Sequence, residues 1–125
     1  MAAVRTVLLV DDDDDLRLIG EMALANVGGF QVHCARSGEE ALELAERTTP
    51  DVILLDVMMP GLDGPSTFER LRERPTTAAI PVIFMTAKVQ THELERYQAL
   101  GATGIIPKPF DPMTLSDQVR KLGGS

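Results

Sequence analysis

Cysteine is nearly absent: Cys34 stands alone in 125 residues, so no internal disulfide can hold the fold together. Disulfide frameworks belong to oxidising compartments, and their absence fits a reducing one; the cytoplasm is the expected location. Long hydrophobic runs are missing too. The apolar stretches fall far short of the roughly 20 residues a membrane-crossing helix needs. Residues 1–5 have neither the apolar region nor the flanks of a secretory signal, so no membrane span and no leader are expected. Basic residues are scarce, 12 Lys and Arg against 19 Asp and Glu, for a formal net charge of -7. Phosphate backbones are gripped by Lys and Arg clusters, so direct nucleic-acid binding is disfavoured. No linker, repeat or low-complexity segment interrupts the chain, whose size suits one core.

What is present is a regular alternation. Val7-Leu8-Leu9-Val10 is a continuous apolar run, as expected of a strand buried on both faces. Helical spacing follows from Leu16, with Ile19, Ala23 and Val27 on one stripe, until Gly28-Gly29. Phe30, Val32 and Cys34 alternate with Gln31, His33 and Ala35, the pattern of a half-buried edge strand. Ser37-Gly38-Glu39-Glu40 has capping-box spacing and opens a helix. Val52-Ile53-Leu54-Leu55 reads as a central strand, Asp63-Gly64-Pro65 as a helix start with Phe68 and Leu71 inward, and Val82-Ile83-Phe84-Met85 as a fourth strand. A helix from about Thr91 presents Leu94, Tyr97 and Leu100. Ile105-Ile106 forms a short fifth strand, and Asp111-Pro112 caps a last helix with Met113, Leu115, Val119 and Leu122 inward. The strands are expected near 5–10, 30–35, 51–56, 81–86 and 104–107. Five strand–helix repeats with crossover helices predict an α/β fold: one domain over 1–125, a doubly wound five-stranded parallel sheet with helices on both faces.

Four strands end in a residue that can do chemistry: Asp11-Asp12, Asp56, Thr86 and Lys108. In an open parallel sheet all carboxyl ends share one edge, and ligands bind where the strand order reverses. A flavodoxin-like order, 2-1-3-4-5, sets Asp11-Asp12 opposite Asp56, with Thr86 and Lys108 to one side. Carboxylates crowded together repel and call for a counter-charge. A hard divalent cation such as Mg²⁺ supplies one, and Lys108 a second. A hydroxyl, an ammonium group and a metal can together stabilise a phosphoryl group, with Asp56 as its acceptor.

Leu8-Leu9-Val10-Asp11-Asp12, the stretch from Leu54 to Gly64 (LLDVMMPGLDG), Ile83-Phe84-Met85-Thr86-Ala87 and Lys108-Pro109-Phe110 resemble the signature segments of two-component response-regulator receiver domains, in order and spacing over essentially the whole chain. The resemblance implies a switch rather than an enzyme, one that promotes at most its own phosphorylation and dephosphorylation. Asp56 would accept phosphate from a sensor histidine kinase or a histidine phosphotransfer protein. Asp11, Asp12, Asp56 and the backbone carbonyl of Met58 would hold Mg²⁺. Thr86 and Lys108 would contact the phosphoryl oxygens, and the Lys108–Pro109 bond would be cis. The surface of the fourth helix, fifth strand and fifth helix would then change for a downstream protein.

Each element also has a plainer reading. An acidic run after a strand is often a turn and helix cap; within it Asp13 and Asp14 read as solvated and Asp15 as the cap. Asp56 alone reads as a turn residue, Lys108 as a surface lysine, Met58 and Met59 as adaptable packing, His33 and His92 as surface residues, and Cys34 as a small hydrophobe. The coincidence of four strand ends carries the case. Two positions depart from the receiver pattern: Ile105 stands where an aromatic is usual, implying a smaller side-chain shift there, and Met58 cannot orient an attacking water. With Lys88 beside Thr86, slow self-dephosphorylation is expected. Alternative functions are a Mg²⁺-dependent phosphatase of haloacid-dehalogenase type, for which no cap segment is visible, flavodoxin-like cofactor binding, which an acidic first loop disfavours, and a phosphorylation-independent docking module. Met1 close to the first strand suggests a natural start. No output segment follows Gly123-Gly124-Ser125, leaving either a stand-alone protein or part of a longer one.

Overall fold

Residues 4–88 and 90–123 are described in a computed structural model of the chain. Residues 1–3, 89, 124 and 125, which include both ends of the expected 1–125 domain, lie outside the described residues.

Five strands form a single parallel sheet: β1 (Thr6–Val10), β2 (Gln31–Ala35), β3 (Val52–Asp56), β4 (Val82–Thr86) and β5 (Gly104–Pro107). Their order is β2-β1-β3-β4-β5, as expected, with β2 and β5 at the edges. The register sets Leu9 against Cys34 and Leu54, and Leu55 against Phe84. Helices α1 (Asp14–Met22), α2 (Gly38–Thr48), α3 (Gly64–Arg72) and α4 (Thr91–Leu100) make the four crossovers, and α5 (Leu115–Leu122) follows the last strand.

Successive side chains of a strand point to opposite faces, so each continuous apolar run feeds two cores. Leu8, Val10, Ile53, Leu55, Val82 and Phe84 pack with α2, α3 and α4 through Ala41, Leu42, Ala45, Phe68, Leu71 and Tyr97. Val7, Leu9, Val52, Leu54, Ile83 and Met85 pack on the other face with Ala23, Leu24, Leu115 and Val119. A strand side chain buried this way contributes about 1.5–3 kcal/mol, which makes the three central strands a rigid base for their own ends.

Local signals hold with three adjustments. Ser37 Oγ accepts from Glu40 N–H at 3.1 Å, but the Glu40 carboxylate reaches one residue further back than a capping box requires and accepts from Arg36 N–H at 2.8 Å. The expected α1 stripe is displaced: Ile19 and Val27 are exposed, while Gly20, Ala23 and Leu24 face the sheet. Gly20 is the reason. A Cβ there would lie 2.8 Å from Leu9 Cδ2, so the bare backbone lets α1 close onto β1. One π-helical turn, Ala23–Val27, follows and brings Leu24 inward. Asp111 does not cap α5, whose N-cap is Thr114; its side chain accepts from Met113 N–H at 2.9 Å in the turn before the helix begins, and Met113, lying in that turn, is 69% exposed rather than inward. Among the described residues no helix is long and apolar enough to cross a membrane.

Candidate functional site

The parallel sheet delivers the ends of β1, β3, β4 and β5 to one edge, and strand alternation then sorts their side chains. Asp56 continues the phase of Leu54 and is paired in register with Met85, so it belongs to the α1/α5 face. Thr86 is one residue further along β4 and continues the phase of Phe84, on the α3/α4 face. Asp11 follows β1 directly, its N–H donating to Ala35 O at 3.1 Å, and Lys108 follows β5, its N–H donating to Thr86 O at 2.9 Å. The Lys108–Pro109 peptide is cis. Lys108 Nζ lies 3.1 Å from Asp11 Oδ2 and 3.3 Å from Asp56 Oδ1. Asp11, Asp56 and Thr86 are 1%, 3% and 2% exposed, and they line one cleft of about 480 Å³ with Asp12, Met58 and Lys108.

Two buried carboxylates with one ammonium between them leave the site short of positive charge. Burial, and then the Asp11 charge, push the Asp56 carboxyl up from 3.8 to about 6, against the opposing pull of Lys108 and of the Met58 N–H, which donates to Asp56 Oδ1 at 3.3 Å. Burial works against the Lys108 ammonium as well, but its contacts with Asp11 and Asp56 outweigh that and raise its pKa. Asp11 Oδ1 is satisfied by Asp13 N–H at 2.9 Å. Asp11 Oδ2 is fully enclosed and makes no hydrogen bond, although the ammonium stands beside it. Two buried carboxylates sharing one ammonium are under-compensated, and a bound cation would add the missing positive charge.

The donor set fits a hard cation. Oxygens of Asp11, Asp12 and Asp56 lie within 4.8 Å of one another, two of the residues buried and Asp12 exposed at the rim. Oxygen-only ligands with an open, wet side suit Mg²⁺ or Ca²⁺ and not a thiolate- or imidazole-seeking metal.

The remaining acidic residues divide differently from the expectation. Asp13, not Asp15, caps α1, its side chain accepting from Asp15 and Leu16 N–H at 2.9 and 3.0 Å. The Met58 side chain is 62% exposed at the mouth of the cleft, and Lys88 N–H donates to Thr86 Oγ1 at 3.0 Å. Two contributors escaped sequence reasoning. Arg17 on α1 donates from Nη1 to the Asp11 carbonyl at 2.8 Å and so fixes the acidic loop from below. Gly64 lets α3 start against β3, where a Cβ would stand 2.5 Å from the Asp56 carbonyl oxygen. The first has no signal in sequence spacing. The second lay in plain view as a glycine at a helix start, without any indication of what it approaches.

Residues 7–120 match the family described as the response regulator receiver domain. The chain is 38% identical over 111 residues to the regulatory protein AtoC of Escherichia coli, covering 89% of this chain and 23% of that protein. It is 40% identical over 119 residues to the response regulator PleD of Caulobacter vibrioides, covering 93% of this chain and 25% of that protein. The chain therefore spans about a quarter of the length of these two relatives. Among solved structures, the chemotaxis protein CheY4 of Vibrio cholerae superposes with a TM-score of 0.88 at 32% identity, covering 96% of this chain and 99% of that one. A putative response regulator from Chloroflexus aurantiacus gives 0.87 at 34% identity, with 98% and 99% covered.

Proposed function

This chain belongs to the response regulator receiver domain family of two-component systems, and on that premise we propose that Asp56 is its phosphoacceptor, charged from a phosphohistidine in the presence of Mg²⁺. The observation that carries the reading is the convergence of Asp11, Asp12, Asp56, Thr86 and Lys108, from four strand ends, on one cleft where two buried carboxylates share a single ammonium.

An Asp56 carboxylate oxygen forms a bond to phosphorus as the P–N bond of phosphohistidine breaks; the electron pair stays on the imidazole nitrogen, which takes a proton from solvent. Lys108 stabilises charge on the phosphoryl oxygens, and Thr86 turns its hydroxyl toward them to donate. Asp11, Asp12, Asp56 and the Met58 carbonyl would hold Mg²⁺, which would supply the missing positive charge. The Asp56 pKa near 6 leaves the carboxylate ionised and nucleophilic at neutral pH. The protein is then a switch with no substrate turnover beyond its own loading and unloading.

The donor is a sensor histidine kinase or a histidine phosphotransfer protein. An apolar surface suits it: Leu18, Ile19, Met22 and Val27 of α1 and its π turn are 43–57% exposed, and Ile19, Met22 and Val27 line a shallow groove with Pro112. We take this contiguous apolar face as the surface on which the donor docks. The acidic composition argues against direct nucleic-acid binding, and the cytoplasm is the compartment where such a donor would be met. The test is a transfer profile. The protein is mixed with separately phosphorylated kinases and phosphotransfer proteins, with Mg²⁺ and with a chelator. Rapid Mg²⁺-dependent labelling by one donor is expected; labelling by none, or labelling indifferent to chelation, contradicts the proposal.

A further inference from the structure

The usual aromatic of β5 is replaced by Ile105, yet the neighbourhood of Thr86 holds an aromatic on a different element. Tyr97, near the end of α4, is 2% exposed, and its ring meets Phe84 edge-on at 5.3 Å and 73°. Phe84 in turn meets Phe68 at 5.6 Å. Phe84 and Thr86 are two residues apart on β4 and share a face, which places Thr86 on the side of the sheet where Tyr97 packs rather than on the side of Asp56. The phenol hydroxyl donates to Glu93 Oε2 at 3.3 Å, one turn back toward the start of α4, the end of the helix reached by the chain leaving Thr86. Tyr97 also borders a cavity of about 540 Å³ with Met58, Lys88 and Glu93, so its polar end reaches the loops that flank the phosphoacceptor, with space to move into. Ile105 pairs with Phe84 in the register and packs against the same core, but it offers no hydrogen-bonding group.

We propose that Tyr97 relays the position of Thr86 to α4, so that this helix, rather than β5, reports phosphorylation; the proposal rests on Asp56 being the phosphoacceptor. In the form described, Thr86 Oγ1 is engaged by Lys88 N–H. When the hydroxyl turns across the strand to a phosphoryl oxygen, it leaves the Tyr97 side of β4. The ring slides along the edge of Phe84 into the vacated space, and the Glu93 contact draws the first turns of α4 with it. The phenol already senses its surroundings: burial and then Glu93 raise its pKa, while Thr86 works in the opposite direction.

Tyr97 is the sole tyrosine and the chain has no tryptophan, so biosynthetic 3-fluorotyrosine gives one protein ¹⁹F resonance. The labelled protein is titrated with beryllium fluoride and Mg²⁺, and the bound fluoride's own ¹⁹F signal reports site occupancy. The Tyr97 resonance is expected to move by more than its linewidth in step with occupancy. In Thr86→Ala at saturating fluoride, most of that displacement should be lost. In Tyr97→Phe, labelling by acetyl phosphate should be unchanged, while the amide shifts of α4 on fluoride binding shrink. Fluoride bound with a stationary Tyr97 resonance, or an undiminished shift in Thr86→Ala, overturns the relay and leaves the phosphoacceptor reading intact. No fluoride binding at all removes that reading, and the relay with it.

Discussion

Leu54 and Asp56 stand two residues apart on β3 and face the same side of the sheet, at 0% and 3% exposure. Leu54 is surrounded by Val7, Leu9, Ile83 and Met85 country, an apolar layer in which every neighbour favours its burial. Asp56 is as deeply enclosed but sits beside a second buried carboxylate and a single ammonium, its proton held up to about 6. The interior of the sheet is complementary in this form, and its carboxyl edge is not. Such an edge is a place where stability is surrendered to keep a site ready for a ligand.

Mutations at the two regions should therefore differ in kind. The largest effect is chemical: Asp56→Asn should reduce labelling by acetyl phosphate and Mg²⁺ to background, read by phosphate-affinity electrophoresis, and persistent label would move the acceptor elsewhere. In the interior, Ile83→Ala deletes a fully buried side chain and should lower unfolding free energy by about 2–5 kcal/mol in urea melts. At the edge the sign reverses. The folded state holds the Asp56 proton more tightly than the unfolded chain, so the contribution of this group is most favourable below pH ~4 and is lost as pH rises through about 6. In metal-free protein, Asp56→Asn should thus stabilise at pH 7 by about 1–3 kcal/mol and change little at pH ~4. Equal destabilisation at both pH values would erase the contrast.

Two smaller effects sharpen it. Ile19→Asp, on the exposed apolar surface of α1, should slow transfer from a protein donor by about tenfold while sparing labelling by acetyl phosphate. Equal slowing of both would place the defect in the site rather than in docking. Met58→Asn replaces an exposed thioether at the mouth of the cleft by a group that can orient water, and should shorten the phosphoprotein lifetime several-fold. A wild-type lifetime equal to or shorter than the variant's would discard that role.

The strands were legible because runs such as Val52 to Leu55 are apolar without interruption, which only a two-sided burial explains. The convergence of Asp11, Asp56, Thr86 and Lys108 was legible for a related reason: a parallel topology turns chain order into one shared edge. The helix details were not. Gly20 has no side chain to register in a hydrophobic pattern, yet it decides which stripe of α1 faces the sheet. Met113 precedes its helix, so counting by helical phase misassigned it. Arg17 and Tyr97 make contacts set by packing, with the Asp11 carbonyl across a loop and with Phe84 on the sheet face that α4 covers. Nothing in their own spacing announces such partners.

Borohydride trapping tests the central claim most directly. The protein is loaded with acetyl phosphate and Mg²⁺, reduced, digested and examined by peptide mass spectrometry, since reduction of an acyl phosphate leaves homoserine at the acceptor. Homoserine at position 56, present only in loaded samples and absent when Mg²⁺ is chelated, is the predicted result. Homoserine at another aspartate, or none anywhere in a protein shown to be labelled, would contradict it.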